Sequence, residues 1–318
     1  MIRYLVRRTV QALFVLLGVT AIVFLILHLQ PGGPARAILG TLNTPEKERL
    51  LNRQLGLDKP LYEQYVIWLN DLVHLRFGYS YQLNEPVSSV IGRTLPSSIV
   101  LVMLGTVEAL LVSIPLGIHQ ALRHNTARDH TLSILELLLY STPVFLLGFI
   151  AIDTFALRLH VFPVGGIHDP TSTAWDPISR LHHLILPSLV LAASQVAVWS
   201  RYMRSAMLDV MVQEYMRTAR AKGLSRREAV RRHGFRNAST SIITLVGLAF
   251  PALFAGALLI ESVFNYPGIG LTFFSAAQSL DFPVLLAIVV VVAAATVVGN
   301  LVADILYAIV DPRIRHQA

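Results

Sequence analysis

Residues Thr9–Leu29 read TVQALFVLLGVTAIVFLILHL and contain no Asp, Glu, Lys or Arg. An α-helix needs about 20 apolar residues to cross the roughly 30 Å hydrocarbon core of a bilayer. Arg3, Arg7 and Arg8 precede the stretch, as basic residues precede a signal peptide. Its apolar run exceeds the roughly 7–15 residues of a signal peptide, and further apolar stretches follow. We therefore predict a retained transmembrane helix.

The rest of the chain has the composition of a membrane protein with several spans. Of its 318 residues, 54% are hydrophobic and 14% are charged, and the mean hydropathy is +0.60. Soluble globular chains carry about 25% charged residues, so a soluble or disordered protein is excluded. Five more apolar stretches predict spans at Ser97–Ile118, Thr131–Leu157, Leu184–Tyr202, Ile242–Phe264 and Pro283–Val310. The predicted fold class is an all-α polytopic membrane protein with six transmembrane helices.

Basic residues are concentrated in the segments that six spans would place on one side of the membrane. The stretch from Arg201 to Arg236 alone holds ten of the 26 Lys and Arg residues. Short basic loops stay in the cytoplasm, so we predict that both termini are cytoplasmic. The net charge of +7 is explained by this topology, and no nucleic-acid partner is predicted.

The long segment 30–95 is mixed in charge and is predicted to lie outside the cytoplasm. Within it, Pro45–Leu55 and Leu61–Leu75 have helical patterns. We expect this segment to contact a binding protein. We also expect a cysteine in place of Ser80 to react with a thiol reagent added from outside.

The sequence lacks the motifs of several enzyme classes. None of the three lysines, Lys47, Lys59 and Lys222, follows a glycine, so a Walker A loop for ATP cannot form. No histidine precedes a glutamate, which excludes an HExxH zinc site. There is no G-x-S-x-G stretch to present a nucleophilic serine, and there is no cysteine. We predict no catalytic residue, no metal site and no cofactor site in this chain.

Four acidic residues fall inside or near the predicted spans: Glu108, Glu136, Asp153 and Asp304. A charge at that depth costs roughly 2.5–3.5 kcal/mol on insertion scales. These residues fit a proton relay or a polar substrate path. They equally fit hydrogen bonding between helices, or protonated carboxyl groups packed in the bundle. Glu108 and Glu136 are the candidates for a pathway role.

The loop Glu214–Ala238 reads EYMRTARAKGLSRREAVRRHGFRNA and predicts two short helices joined at a corner. Good helix formers precede Gly223, which supplies a left-handed stop. Ser225 can cap the next helix, with Glu228 three residues later completing a capping box.

This loop has two possible partners. The small residues Ala219 and Ala221 suit the first helix to a groove on another protein. The alternative is a basic amphipathic helix that lies on anionic lipid headgroups.

The residues Glu214-Tyr215, Ala219-Arg220-Ala221-Lys222-Gly223-Leu224, Val230, His233 and Arg236-Asn237-Ala238 form a pattern similar to the EAA loop of ABC importer permeases. The form resembles that of the dipeptide/oligopeptide/nickel permease family. Matching stretches elsewhere are Met1–Arg8, Leu55–Pro60 leading to Tyr65, Phe77–Ser80, Ile114–Gly117, Phe162-Pro163, Glu261–Phe264, Pro267–Gly270 and Asp311–Arg313. The resemblance covers essentially the whole chain. One departure is Ser239-Thr240-Ser241, where the family usually has Leu-Pro.

The resemblance implies a type I ABC importer transmembrane domain in a bacterial inner membrane. Its expected partners are a second homologous permease, two ATPase subunits that bind ATP and Mg, an extracytoplasmic substrate-binding protein and the lipid membrane. The cargo expected from the family is a di- or oligopeptide, although some relatives carry nickel complexes or other solutes. The residues expected to couple the permease to the ATPases are Glu214, Tyr215, Ala219, Arg220, Ala221, Gly223 and Leu224.

The domain organisation that follows has four parts. Residues 1–29 hold the N-terminal tail and first span, and residues 30–95 form the extracytoplasmic segment. Residues 96–311 form the permease core with its coupling loop at 204–240, and residues 312–318 form a cytoplasmic tail. The alternative function is an ion-coupled secondary transporter that uses Glu108 and Glu136, although no inverted repeat is evident.

Overall fold

The computed structural model describes residues 2–29, 33–54, 56–169 and 176–310, and most of these are helical. The helices are α1 (Ile2–His28), α2 (Gly33–Leu39), α3 (Pro45–Gln54), α4 (Leu61–Val73), α5 (Val87–Leu122), α6 (Ala127–Ser141), α7 (Val144–Ala151), α8 (Pro177–Met211), α9 (Glu214–Ala221), α10 (Arg226–Ala229), α11 (Phe235–Val263), α12 (Ile269–Gln278) and α13 (Phe282–Val310). Strands β1 (Tyr79–Ser80) and β2 (Glu85–Pro86) pair in an antiparallel hairpin. A 3₁₀ turn follows α2 at Gly40–Leu42, and π-helical turns follow α7 at Ile152–Arg158 and α10 at Val230–Gly234.

Contacts within the chain group its residues into two compact units. The N-terminal unit comprises Ile2–Ser98 and Pro267–Val298, and the central unit comprises Ile99–Tyr266 and the chain from Gly299. The predicted tail 312–318 and the motif Asp311-Pro312-Arg313 lie outside the described residues. Leu55 and the side chain of Asp304 also lie outside them.

The N-terminal unit is built on the first apolar helix. Helix α4 lies against α1, where the Tyr65 hydroxyl is 2.9 Å from the Thr20 hydroxyl and the Gln64 Oε1 atom is 2.8 Å from the His28 Nε2 atom. The first residues of α5 pack with α12 and α13 in a separate apolar cluster. The two helical patches predicted in segment 30–95 are confirmed as α3 and α4.

The hairpin β1–β2 is fixed by a buried hydrogen bond to the turn before α13. The Ser80 hydroxyl donates to the Asp281 carboxylate, and both side chains are almost fully buried. A second Asp281 oxygen accepts a bond from the Val284 amide in the first turn of α13. The expectation that a cysteine at position 80 would be accessible is therefore wrong. Hydropathy alone does not reveal that this serine has a partner 201 residues away.

The central unit is organised around α8, which packs against α6, α7 and α11. The span predicted at Thr131–Leu157 is two helices rather than one, because α6 and α7 meet at a bend of 102°. Pro143 lies at this bend, lacks an amide hydrogen and disfavours a helical Thr142. Two other prolines do not interrupt their helices, since α5 continues through Pro115 and α8 continues through Pro187.

Four described helices are long and apolar enough to cross a membrane, at Val6–His28, Val87–Leu122, Pro177–Met211 and Phe282–Val302. The bent pair α6–α7 would make a fifth span. The predicted span Ile242–Phe264 falls almost entirely in α11, a helix of 29 residues. Side chains at 240–241, 243–244 and 247–255 in this helix lie outside the described residues.

A close approach between α5 and α8 depends on Gly117. A Cβ atom at this position would lie 2.5 Å from the Ser200 carbonyl oxygen and 2.9 Å from the Arg204 amide nitrogen. Both are backbone atoms, so a rotamer change cannot relieve the overlap. We predict that Gly117→Ala lowers the free energy of unfolding by about 1–3 kcal/mol, as overpacking does. Chemical unfolding of the purified protein in detergent measures the change.

Helix α5 also provides the matched control for this substitution. A Cβ atom at Gly92 would meet no atom within 4 Å. Because alanine loses less backbone entropy than glycine, Gly92→Ala should be neutral or stabilise the helix by about 0.5–1 kcal/mol. Equal effects of the two substitutions would contradict the close packing at Gly117.

Candidate functional site

The loop after α8 begins with α9, which ends in a Schellman motif at Gly223. The Gly223 amide donates to the Arg220 carbonyl at 3.0 Å, and the Leu224 amide donates to the Ala219 carbonyl at 3.3 Å. Gly223 has φ +92°, in the left-handed region that glycine adopts without steric cost. The predicted stop is confirmed.

The predicted capping box is also present at the start of α10. The Ser225 hydroxyl accepts a bond from the Glu228 amide at 3.3 Å, and the Glu228 carboxylate accepts one from the Ser225 amide at 3.0 Å. The Ser225 side-chain hydrogen bond, followed by the backbone one, lowers the pKa of Glu228. The box is therefore intact at neutral pH and weakens as the pH falls through that lowered pKa. The two motifs leave Lys222 to Leu224 as a defined corner.

The inner face of α9 packs on the C-terminal part of α8. The basic residues of the sequence predict that this part of α8 faces the cytoplasm. Met216 and Ala219 are buried in one cluster with Met203 and Met207 of α8. Ala229 and other residues of the next helix complete this cluster. The expectation that Ala219 offers its side chain to a partner is wrong, because this side chain is only 7% exposed. Its small size instead lets α9 approach α8.

The outer face of α9 is free of contacts with this core. Its exposed residues are Glu214, Tyr215, Arg217, Thr218, Arg220, Ala221 and Lys222. Of the predicted coupling residues, Ala219 and the half-buried Leu224 face inward, while Glu214, Tyr215, Arg220, Ala221 and Gly223 are exposed. The Tyr215 hydroxyl accepts a 2.8 Å bond from the Asn237 amide group, which ties α9 to α11. The sequence placed both residues in one family pattern but did not predict that they pair.

The second helix of the loop is longer than predicted. Helix α10, the π-helical turn Val230–Gly234 and α11 follow one another without a break, so the helical segment runs from Arg226 to Val263. The stretch Ser239–Ser241 has no proline, although the family usually has Leu-Pro here. A proline would interrupt the helix, so its absence is consistent with the continuous segment. Gly234 leaves space for Met207 and Met216. A Cβ atom added at this position would lie 3.3 Å and 3.5 Å from their terminal carbons.

Asp129 and Arg204 form an ion pair between α6 and α8, with a buried carboxylate and a partly exposed guanidinium, that the sequence did not predict. Arg204 donates to both oxygens of Asp129, at 3.0 Å and 2.7 Å, and the Asn125 amide donates to one of them at 3.0 Å. The His124 Nδ1 atom is 3.0 Å from an Arg204 nitrogen. The Asp129 side chain is fully buried. The two residues are 75 positions apart, so no local pattern in the sequence joins them.

The two pathway candidates, Glu108 and Glu136, have different surroundings among the described residues. Glu108 accepts a 3.1 Å bond from the Ser188 hydroxyl, which agrees with hydrogen bonding between helices. Glu136 is 2% exposed, and neither of its carboxylate oxygens has a hydrogen-bond partner among the described residues. Asp153 pairs with Arg158 at 2.9 Å near the end of its segment. Among the described residues, no three His, Asp or Glu side chains are grouped to hold a metal ion.

Comparison with protein families and curated proteins identifies relatives over the whole chain. Residues 113–316 match the family described as binding-protein-dependent transport system inner membrane component, and residues 1–102 match the N-terminal part of such membrane components. The chain is 39% identical to the oligopeptide transport system permease protein AppB of Bacillus subtilis (strain 168), over 99% of this chain and 100% of the relative. It is 34% identical to the glutathione transport system permease protein GsiC of Escherichia coli (strain K12), over 100% of both chains.

Among solved structures, the fold is similar to a chain of the MetNI methionine ABC transporter in an inward-facing conformation. The TM-score is 0.57, and the match covers 70% of this chain and 96% of that chain. Sequence identity is 13%, so this likeness supports the fold alone.

The ion pair Asp129–Arg204 gives a stability prediction. Arg204→Gln leaves a buried carboxylate without its charged partner, which should lower the free energy of unfolding by about 2–3 kcal/mol. The control is Arg201→Gln on the same helix, because Arg201 is exposed and lies 5.9 Å from the Tyr140 ring centroid. A cation–π contact at an exposed site contributes about 0.5–1 kcal/mol. Unfolding in detergent should separate the two variants, and equal losses would contradict a structural role for the pair.

Proposed function

This chain belongs to the family of binding-protein-dependent transport system inner membrane components, and from that premise we propose that it is one permease subunit of an ATP-driven importer of di- and oligopeptides. The observation that carries the proposal is the match over the full length to an oligopeptide permease. The long apolar helices agree with a multi-pass protein of the cell membrane. Such a subunit forms half of the translocation pathway together with a second, homologous permease.

ATP binding and hydrolysis belong, in this proposal, to two separate ATPase subunits. The absence of a Walker A sequence supports this division of labour. ATP and Mg would then be held by those partners, and this chain would perform no chemical step. A substrate-binding protein would deliver the peptide from outside, as the family description suggests.

The ATPases act on the exposed face of α9 and on the corner at Gly223. Motion of this corner can reach two membrane helices directly. Helix α9 contacts α8 through the cluster with Met203 and Met207, and the corner continues as one helical segment into α11. Because a packed core resists compression, a displacement of α9 moves α8 rather than being absorbed between them. ATP-driven closure would thereby switch the bundle between inward-facing and outward-facing states.

A reconstituted complex tests both the function and the coupling site. In proteoliposomes with both permeases, the ATPases and the binding protein, peptide uptake should require ATP and persist with an uncoupler. Gly223→Val should assemble but lose uptake and stimulated ATP hydrolysis, because a β-branched residue is strained at φ +92°. Ala221→Glu should do the same by placing a charge on the exposed face of α9.

The control for both substitutions is Arg227→Ala, since Arg227 is exposed on α10 and lies beyond the corner. It should retain most of the uptake. Ala219→Glu is unsuitable as a coupling variant, because the carboxylate would enter the buried cluster and disturb folding. Normal coupling in both Gly223→Val and Ala221→Glu would reject this docking site and favour a loop that lies on lipid.

We further propose the topology of six spans with both termini in the cytoplasm. Segment 30–95 would then lie outside, residues 96–311 would form the core with the loop 204–240 inside, and residues 312–318 would form a cytoplasmic tail. The basic loop after α8 supports this orientation.

Cysteine labelling tests the topology, and the chain has no native cysteine to interfere. Leu83 is 50% exposed in the hairpin loop, and Thr218 is exposed on α9. An impermeant thiol reagent should label Leu83→Cys in intact cells and Thr218→Cys only after permeabilisation. The reverse pattern would invert the orientation, and labelling of both in intact cells would reject the odd number of spans, three, that this topology places between them.

The ion-coupled alternative is not supported by the family to which the chain belongs. It also requires proton exchange at Glu108 and Glu136, and the Glu136 side chain is buried. The persistence of uptake with an uncoupler separates the two mechanisms in the same reconstituted system.

A further inference from the structure

Helix α4 has an exposed apolar stripe along its whole length. Tyr62, Val66 and Val73 are 69%, 62% and 73% exposed, and Leu69 between them is half-buried. Their spacing of four, three and four residues places all four on one side of an α-helix. No charged residue interrupts the stripe.

The opposite side of α4 is already occupied within the N-terminal unit. Gln64 is buried and its side chain bonds to the Leu57 and Lys59 carbonyls and to His28. Trp68 lies with its ring centroid 5.8 Å from that of Phe24. An apolar-lined cavity of about 330 Å³ lies between this side of α4, α1 and the start of α13. The stripe is therefore an outer surface, not a part of the unit's core.

Contacts with α1 fix the depth at which α4 lies. The Tyr65 hydroxyl is 2.9 Å from the Thr20 hydroxyl and donates to the Leu17 carbonyl at 3.3 Å. Thr20 is eight residues from the end of α1 at His28, which corresponds to about 12 Å along the axis. The candidate span Val6–His28 has 23 residues, about 34 Å, so it exceeds the roughly 30 Å hydrocarbon core by only a few ångströms. Tyr65 thus reaches hydrocarbon depth beside α1.

We infer that α4 is a membrane-interface helix whose stripe of Tyr62, Val66, Leu69 and Val73 contacts lipid acyl chains. The stripe lies at the same depth as part of α1, whose apolar residues Ile22 and Leu25 are also exposed. Both surfaces would therefore contact the same hydrocarbon layer. Glu63 and Asn70 flank the stripe on one side, and the exposed Lys59 and Arg76 stand beyond the two helix ends. A hydrophobic stripe with polar flanks and basic ends is the pattern of helices that lie in the plane of a bilayer surface. Tyr62 suits the headgroup boundary, because its apolar ring can contact acyl chains while its hydroxyl group contacts water.

This inference requires only that α1 spans the membrane, and it does not depend on the cargo or on the ATPases. It changes the expected role of segment 30–95, because the stripe would be covered by lipid and not by the binding protein. The binding protein would instead have to contact other surfaces of that segment.

Fluorescence quenching in proteoliposomes tests the inference on the assembled transporter. Val66→Cys carries a small environment-sensitive fluorophore, and the control is Leu50→Cys, an equally exposed leucine on the charged helix α3. Phospholipids brominated on the acyl chains should quench the label at position 66 at least twofold more than the label at position 50. Aqueous iodide should quench them in the opposite order.

Equal quenching of the two labels by brominated lipid would overturn the inference. So would iodide quenching at position 66 that disappears only when the binding protein is added, since that protein would then cover the stripe. Tyr62→Cys provides a second position on the stripe should Val66→Cys assemble poorly. Brominated lipid should quench a label at position 62 as strongly as a label at position 66, and both more strongly than the control label at position 50.

Discussion

The packing of α9 on α8 is the contact on which the loop between α8 and α11 depends. Met203 and Met207 are fully buried, and they are covered by Met216 and Ala219 of the loop. Methionine side chains are unbranched and fill irregular spaces, so they can pack against α9 and α11 at the same time. Without this cluster the loop would keep its local hydrogen bonds at Gly223 and Ser225, but α9 would lose its packing against α8. With it, the chain presents one fixed surface at the place where the charges of the sequence predict the cytoplasm.

Local signals in the sequence predicted local structure well. The left-handed Gly223, the capping box of Ser225 and Glu228, and the helices α3 and α4 are all present in the structure. Each depends on residues within one or two helical turns, where propensity and hydrogen bonding act directly. The family was predicted from short stretches spread over the chain, and the comparisons confirm it.

Features that depend on tertiary contact were not predicted from the sequence. The burial of Ala219 and Ser80, and the pair between Asp129 and Arg204, each arise from residues that meet only when distant helices pack. Hydropathy predicted one span at Thr131–Leu157 because an average over apolar residues does not register a turn at Pro143. The buried carboxyl groups show the same limit, since the sequence gives their depth but not their partners.

The bend between α6 and α7 has a consequence for how the chain enters the bilayer. Helix α6 has 15 residues, about 22 Å, which is shorter than the roughly 30 Å hydrocarbon layer. Neither arm can therefore complete a membrane crossing as an isolated straight helix, and backbone groups freed at the bend need protein partners. The arms find neighbours at α8, through Asp129 and Arg204, and at the end of α11, where Gly148 lies against Val263. Biogenesis of this segment must consequently be cooperative: its stable insertion waits for helices that the ribosome makes later.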